Sequence, residues 1–248
     1  MNALILAAGL GTRLGTYTQD RPKALVMVEG RTMLEHQLRR LARFGFDRFA
    51  VNVHHFAPMV MEFLEANHNF GLDIRVSDES GLLLDTGGGI RRAMHLFDNT
   101  EPVLVHNVDI FSNTDIGLLY RSHLESRCHA TLLTQERKTS RYLYFDGSGR
   151  LKGWCNTKTG QTRSPFADFK PEDNAARAFQ GIHVISHDML EQLDAIESAA
   201  FSITDFYVDH CAALDMRGIT FPDMQWADAG RPETLPLADK LARGHYRD

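Results

Sequence analysis

The chain has 248 residues, is 43% hydrophobic and carries a formal net charge of −5. That size buries a full core, and without a Pro/Gly/Ser linker, charge run or internal repeat it predicts a single domain over 1–248. The acidic balance excludes a basic nucleic-acid-binding face, and three scattered cysteines (Cys128, Cys155, Cys211) exclude a disulfide framework or a structural zinc site.

The chain opens with an apolar run, Asn2 to Ala8, closed by Gly9. It lacks the basic start of a signal peptide and reads as a buried, parallel-type strand. No stretch approaches the ~18 apolar residues of a membrane span, so a cytoplasmic protein with no membrane partner is expected. Thr32, with Glu35 three residues on, predicts a helix start, and Gly45 its end, with Leu34, Leu38 and Leu41 on the apolar face. Phe49 to Val53 reads as a second strand, Pro58 starts a second helix, and Leu72 to Val76 is a third strand. A glycine-rich segment and a helix to about Phe97 follow, then a strand from Val103 to Val108. Strand and helix alternate throughout these first ~110 residues, which implies a sheet covered by helices on both faces.

The second half is mixed. Strands are predicted at Ala130 to Thr134, Tyr142 to Phe145 and Leu151 to Trp154, the last two joined by the turn Asp146-Gly147-Ser148-Gly149. Ile182 to Ile185 is another strand. Ser202 with Asp205 opens a helix to about Leu214, Ile219 to Phe221 and Gln225 to Ala227 are short strands, and Pro232 starts a last helix. Asn156 to Arg177 is polar and reads as a long surface loop or lid.

The first strand runs into Gly9-Leu10-Gly11-Thr12-Arg13. A glycine-rich turn at the carboxyl end of a strand can present backbone amides to phosphate, and Arg13 adds a charged fork. A Walker A loop is absent, and Leu14 occupies the third glycine of a dinucleotide fingerprint. Lys23, just after Pro22, supplies a second cation for one phosphate chain.

The run Leu6-Ala7-Ala8-Gly9-Leu10-Gly11-Thr12-Arg13, followed by Pro22-Lys23-Ala24-Leu25 and Gly30, resembles the signature of the sugar-phosphate nucleotidyltransferases. Leu84-Asp85-Thr86-Gly87-Gly88-Gly89-Ile90 resembles the second glycine segment of that family, and is more narrowly similar to its N-acetylmuramate 1-phosphate uridylyltransferase branch. Val105-His106-Asn107-Val108-Asp109 resembles the strand ending N-G-D, Phe179-Gln180-Gly181-Ile182 the segment bordering the sugar, and Trp226-Ala227-Asp228-Ala229-Gly230 the segment W-x-D-x-G. The resemblance implies a single-domain Rossmann-like α/β nucleotidyltransferase fold, with a mixed, mostly parallel sheet. Residues 1–110 would form the nucleotide-binding half and 111–248 the sugar-phosphate-binding half.

Carried over by position, the resemblance implies that Ala7, Gly9, Gly11 and Thr12 hold the nucleotide by backbone, with Arg13 on the pyrophosphate and Lys23 on the transferring phosphate. Thr86, Gly87 and Gly88 would lie beside the base. Asp109 and Asp228 would hold Mg²⁺, and Asn107 and Gly181 would border the acceptor. Val108 departs from the family glycine, and no E-K-P segment supplies a lysine to the acceptor phosphate. Arg141 and Lys158 are the substitutes considered. No left-handed β-helix segment follows, so acetyl transfer is not expected.

The reaction implied is a single in-line displacement in which a sugar 1-phosphate attacks the α-phosphorus of an NTP and pyrophosphate leaves. It rests on alignment and charge neutralisation. UTP with N-acetylmuramate 1-phosphate is favoured. Alternatives are guanylyl transfer to mannose or heptose 1-phosphate, cytidylyl transfer to a non-sugar acceptor such as phosphocholine caged by Trp154, and a non-catalytic nucleotide-binding module. Asp109 and Asp228 are each expected to close a strand of the parallel-type sheet. His54-His55 cannot easily ligate one ion, because adjacent strand residues point to opposite faces. His106 is expected to be a satisfied core histidine, and Trp154, Tyr142 and Tyr144 to pack in the core or in strands rather than form a sugar platform. Oligomeric state is not readable.

Overall fold

In the computed structural model, which describes residues 1–246, the first half is β1 (Asn2–Leu6), the small hairpin β2 (Met27–Val28) and β3 (Arg31–Thr32), α1 (Met33–Arg43), β4 (Arg48–Val53), α2 (Ala57–Ala66), β5 (Asp73–Asp78), α3 (Asp85–Met94) and β6 (Val103–Asn107). The second half is β7 (Ile110–Ser112), α4 (Ile116–Ser126), β8 (Ala130–Gln135), β9 (Arg141–Phe145), β10 (Leu151–Asn156), β11 (Gln161–Arg163), β12 (Ala175–Ile185), α5 (Met189–Asp194), α6 (Ile203–His210), β13 (Met216–Ile219), β14 (Trp226–Asp228) and α7 (Leu235–His245).

One ten-stranded sheet runs through both halves in the order β11-β10-β9-β12-β6-β1-β4-β5, with β8 paired to β12 and β13 to β8. β5, β4, β1 and β6 are mutually parallel, and β12 joins β6 antiparallel. The side-chain alternation of a strand sorts the core into two layers. Ala3 and Ile5 face α1, α2, α4 and α7, whereas Leu4 and Val105 face α3, α5 and α6. This is the helix-covered α/β sheet the sequence predicts.

Local signals explain the ends of the helices. The Thr32 hydroxyl accepts from the Glu35 amide at 3.1 Å and the Ser202 hydroxyl from the Asp205 amide at 3.3 Å, as N-caps do. Gly45, at φ +88°, ends α1 in the conformation that favours glycine. Two helices were not foreseen. In α4, Asp115 caps the Leu118 amide at 2.8 Å and Ile116, Leu119 and Tyr120 are buried. α5 is only six residues long.

Other boundaries differ from expectation. The stretch 156–177 is not an open lid. It turns back as β11 on β10, and Arg163 ties it to α6 through Asp205 at 2.5 Å and Asp209 at 2.8 Å. β12 is much longer than Ile182–Ile185 because it continues past an irregularity at Gly181 to pair with β9. The strand expected at Ile219–Phe221 is β13, shifted to Met216–Ile219 by its register with β8.

β1 lies between β4 and β6. The chain leaves β1 toward β4 and β5 on one side and returns to β6 on the other. Such a switch opens a crevice at the carboxyl ends of the strands. Asn52, Leu6 and Asn107 stand side by side at that edge, since Leu6 is in register with both.

Candidate active site

The loop after β1 reaches over this edge. The Asn52 carboxamide oxygen accepts from the amides of Ala7 at 2.6 Å and Ala8 at 3.3 Å. Its nitrogen donates to Glu79 at 2.8 Å. The other Glu79 oxygen accepts from the Leu84 amide at 3.1 Å, which joins the two glycine segments through one buried pair. Burial pushes the Glu79 carboxyl up, partly countered by its hydrogen bond from Asn52. The amides of Gly9, Leu10 and Gly11 find no acceptor among the described residues, and remain available to a phosphate. Ala7 is different, because Asn52 already holds its amide. Gly11 is at φ +68°, and a Cβ there would lie 3.1 Å from Cβ of Lys23, so this glycine lets the loop close on the lysine. Thr12 is exposed just beyond it.

Asp109 follows β6, and the neighbouring Val108 amide donates to the Leu6 carbonyl at 3.1 Å. Val108 is not among the positive-φ residues, so valine fits this turn without strain. Gln37, fully buried on α1, donates to the carbonyls of Val108 at 3.3 Å and Ile110 at 2.8 Å and so braces both sides of Asp109.

Asp228 arrives by a different route from the one expected. It does not end a strand of the main sheet. It lies on β14, which pairs antiparallel with β7, and is in register with Ile110. This separate ribbon brings the two carboxylates together.

The two cations from the first loop meet both acids. Lys23 Nζ contacts Asp109 Oδ2. Arg13 lies 3.1 Å from Asp228 Oδ2 and 4.0 Å from Asp109 Oδ2. Burial raises the Asp109 carboxyl, opposed by Lys23 and reinforced by Asp228. Asp228, more open, is held below its ordinary value: burial is outweighed by hydrogen bonds from Asp109 and the Gly230 amide and by the charges of Arg13 and Lys23. Gly230 makes the pairing possible. A Cβ there would lie 2.6 Å from Asp109 Oδ2, 2.7 Å from Asp228 Oδ1 and 2.9 Å from Arg13. Two adjacent carboxylates that must share protons and borrowed cations are a fitting donor set for Mg²⁺, which takes one or two carboxylates and completes its shell with phosphate and water.

Three cavities that share lining residues lie at and beyond this cluster. One, of about 380 Å³, lies between the loop after β1 and Glu79, Leu83 and Thr86. A second, of about 280 Å³, joins Asp109 and Asp228 to Asn107, Gly181 and Arg137. The third, of about 650 Å³, continues from Arg137 to Arg141, Trp154 and Asn156. Gly181, at φ +72°, packs where a Cβ would meet the Asn107 carboxamide at 2.6 Å. Thr86 borders all three cavities, and its hydroxyl accepts from the Ile203 amide at 3.0 Å.

Gly87 and Gly88 serve a packing need. Their amides donate to the Phe201 carbonyl at 2.7 and 3.4 Å. Added Cβ atoms would lie 2.3 Å from the Phe201 ring and 2.2 Å from the Ala199 carbonyl. Arg141 lines the outer cavity. Lys158 does not; it is exposed in the turn between β10 and β11. His54 Nδ1–H donates to the Glu79 carbonyl at 2.7 Å, while His55 is exposed, so they form no metal pair. His106 is only half satisfied: Nδ1 is 2.8 Å from the Asn107 carbonyl and buried Nε2 has no partner. Tyr144 packs edge-on against Phe169, and the Tyr142 hydroxyl accepts from the Thr139 amide, leaving Trp154 to face the cavity.

Asn52, Glu79, Gln37, Arg137 and Gly230 were not singled out from sequence. Only Gly230 carried a signal, as the last letter of W-x-D-x-G.

A family model described as a MobA-like NTP transferase domain matches residues 3–198. An N-acetylmuramate alpha-1-phosphate uridylyltransferase of Caulobacter vibrioides is 47% identical over 109 residues, 43% of this chain and 45% of that protein. Mannose-1-phosphate guanyltransferase beta-B of Xenopus laevis is 26% identical over 244 residues, 94% of this chain and 62% of that protein. The chain thus spans less than two thirds of the length of these curated relatives. Among solved structures, HddC from Yersinia pseudotuberculosis, complexed with GMP-PN, superposes with a TM-score of 0.72 at 20% identity, over 96% of this chain and 98% of that one, a likeness of fold.

Proposed function

The chain belongs to the MobA-like NTP transferase domain family, and on that premise we propose that it transfers a nucleoside monophosphate from an NTP to a sugar 1-phosphate, giving a nucleotide sugar and pyrophosphate. The observation that carries this reading is the cluster of Arg13, Lys23, Asp109 and Asp228 at the crevice beyond the carboxyl ends of β1 and β6. Residues 1–110 supply the nucleotide side and the remainder most of the acceptor side.

The free amides of Gly9 to Gly11 receive phosphate oxygens, Arg13 the departing pyrophosphate and Lys23 the transferring group. Asp109 and Asp228 would hold Mg²⁺, which neutralises the phosphate charge as it redistributes. An ionised oxygen of the acceptor phosphate forms a bond to the α-phosphorus as the bond to the β-phosphate oxygen breaks. No proton need be removed from the attacking oxygen, so the step rests on alignment and charge neutralisation. Thr86 and Leu83 border the space for the base. In the outer cavity Arg137 and Arg141 disfavour a quaternary ammonium at Trp154, which weighs against a phosphocholine acceptor.

UTP with N-acetylmuramate 1-phosphate is the preferred pair, supported by the 47% identity to the Caulobacter enzyme. Guanylyl transfer to mannose 1-phosphate is the second reading, favoured by the match to the Xenopus enzyme over 94% of this chain. The test is pyrophosphate release across four NTPs and the 1-phosphates of N-acetylmuramate, mannose, glucose and heptose, with Mg²⁺. Preference for UTP and N-acetylmuramate 1-phosphate is expected. Preference for GTP and mannose 1-phosphate establishes the second reading, and no release from any pair refutes both.

A further inference from the structure

The proposed reaction brings two phosphate groups together, and Arg13 and Lys23 both belong to the nucleotide side. A sugar 1-phosphate entering from the outer cavity needs its own cation close to Asp228, and the chain has no E-K-P segment to supply one. We infer that Arg137 is the anchor of the acceptor phosphate, an assignment that rests on the transfer reaction proposed above.

Four observations carry this. Arg137 borders both the cavity of Asp109 and Asp228 and the larger cavity of Trp154 and Arg141, so it stands at their junction. Its position is fixed by its neighbours: Gln135 donates to the Met224 carbonyl at 2.8 Å, and Glu136 pairs with Arg177 at 2.9 Å. Its guanidinium lies 4.3 Å from the centroid of the Trp226 ring. That ring, two residues before Asp228, is itself pinned by its Nε1–H, which donates to the Gln180 carbonyl at 3.2 Å. Finally, Arg137 Nε is buried without a hydrogen-bond partner, and no carboxylate lies within salt-bridge distance of the guanidinium among the described residues.

A half-buried guanidinium with an orphaned N–H is costly unless an anion arrives. Arg13 and Lys23 each hold a carboxylate in the free protein, whereas Arg137 holds none. Burial pulls its pKa down, partly offset by Asp228, yet a guanidinium stays charged at neutral pH. Its planar fork matches a phosphate bidentately, with one face left for Trp226. The acceptor class follows: a sugar with a terminal monophosphate, and not the free sugar.

The test compares wild type with Arg137→Gln and Arg137→Lys, using UTP with N-acetylmuramate 1-phosphate and GTP with mannose 1-phosphate, each with Mg²⁺, with CD and melting curves to confirm folding. Loss of a charged hydrogen bond predicts a KM for the sugar 1-phosphate raised about 10- to 100-fold in Arg137→Gln. The KM for the NTP should stay within about twofold, on the same reasoning that Arg137 does not serve the nucleotide. Arg137→Lys, which keeps the charge but not the fork, should fall between and serves as the test if the glutamine variant does not fold. An unchanged acceptor KM, or equal losses for both substrates, in a folded and active enzyme overturns the anchor and leaves the transfer reading standing. A wild type that transfers to no sugar 1-phosphate overturns that reading and the anchor with it.

Discussion

The amide of Ala229 donates to the backbone carbonyl of Asp109 at 2.8 Å, which fixes the strand carrying Asp228 against the turn carrying Asp109. The two acids are far apart in the chain, Asp109 in the turn between β6 and β7 and Asp228 on β14, yet this short ribbon holds them at one point. Every other element of the site is arranged around that point: two cations from the first loop, a glycine beneath, and cavities on either side.

Gly230 is the tightest of these constraints. A methyl group there meets both carboxylates and Arg13 inside 3.0 Å. Gly230→Ala should lower kcat by about 100-fold, the scale associated with misplacing catalytic groups by about 1 Å, while far-UV CD is unchanged. Wild-type kcat in a folded Gly230→Ala protein would mean that the separation of the acids does not matter.

Asn52 is expected to couple stability to nucleotide binding. It satisfies the amides of Ala7 and Ala8 and engages Glu79. Asn52→Ala leaves three buried polar groups short of partners and should cost about 2–4 kcal/mol in a denaturant titration. The phosphate loop also loses its support, so the KM for the NTP should rise more than that for the acceptor. Equal changes in the two KM values would separate Asn52 from the nucleotide side.

Stability should fall in mild acid. Burial pushes His106 and His183 down to about 3 and His123 to about 4, against 6.5 for the free side chain. Because the folded values are depressed, the unfolded chain binds more protons between about pH 4 and 6.5; the stability present above pH 6.5 is lost as the pH falls. Each histidine contributes a slope approaching about 1.4 kcal/mol per pH unit in that window. Glu79 and Asp109, both raised, act in the opposite sense and reduce the total. The urea midpoint at pH 5.0 should lie clearly below that at pH 7.5. A flat profile would contradict the neutral burial of these histidines.

Much of the fold was legible because its signals are local. Thr32 and Ser202 announce their helices by spacing alone, Gly45 ends one, and the apolar runs of β1 and β6 mark the central strands. α4 was missed although Asp115 and the spacing of Ile116, Leu119 and Tyr120 carried the pattern. β12 was read only at its apolar end, because Gln180, Gly181 and Arg177 break the alternation.

In the site, Arg13, Lys23, Asp109 and Asp228 were legible through their motifs, but the way the acids meet was not. Pairing between β7 and β14 is a long-range contact between two three-residue strands, too short to show a period. Asn52, Gln37 and Arg137 were silent for a related reason. Each is one polar residue in an otherwise ordinary segment, and its role exists only after distant parts of the chain have folded against it. The glycines of α3 stood out in sequence, yet Gly87 and Gly88 answer to Phe201 and Ala199, which no local pattern reveals.

The most direct test of the central claim follows the α-phosphorus. Enzyme with Mg²⁺, α-³²P-labelled UTP or GTP and the cognate sugar 1-phosphate should place the label in a nucleotide sugar, with one pyrophosphate formed per product. Asp228→Asn and Asp109→Asn should each reduce that transfer by about 1,000-fold or more, on the scale of removing a group that stabilises transition-state charge, while remaining folded. Label released as free nucleotide monophosphate, or transfer undiminished in either variant, would contradict the account.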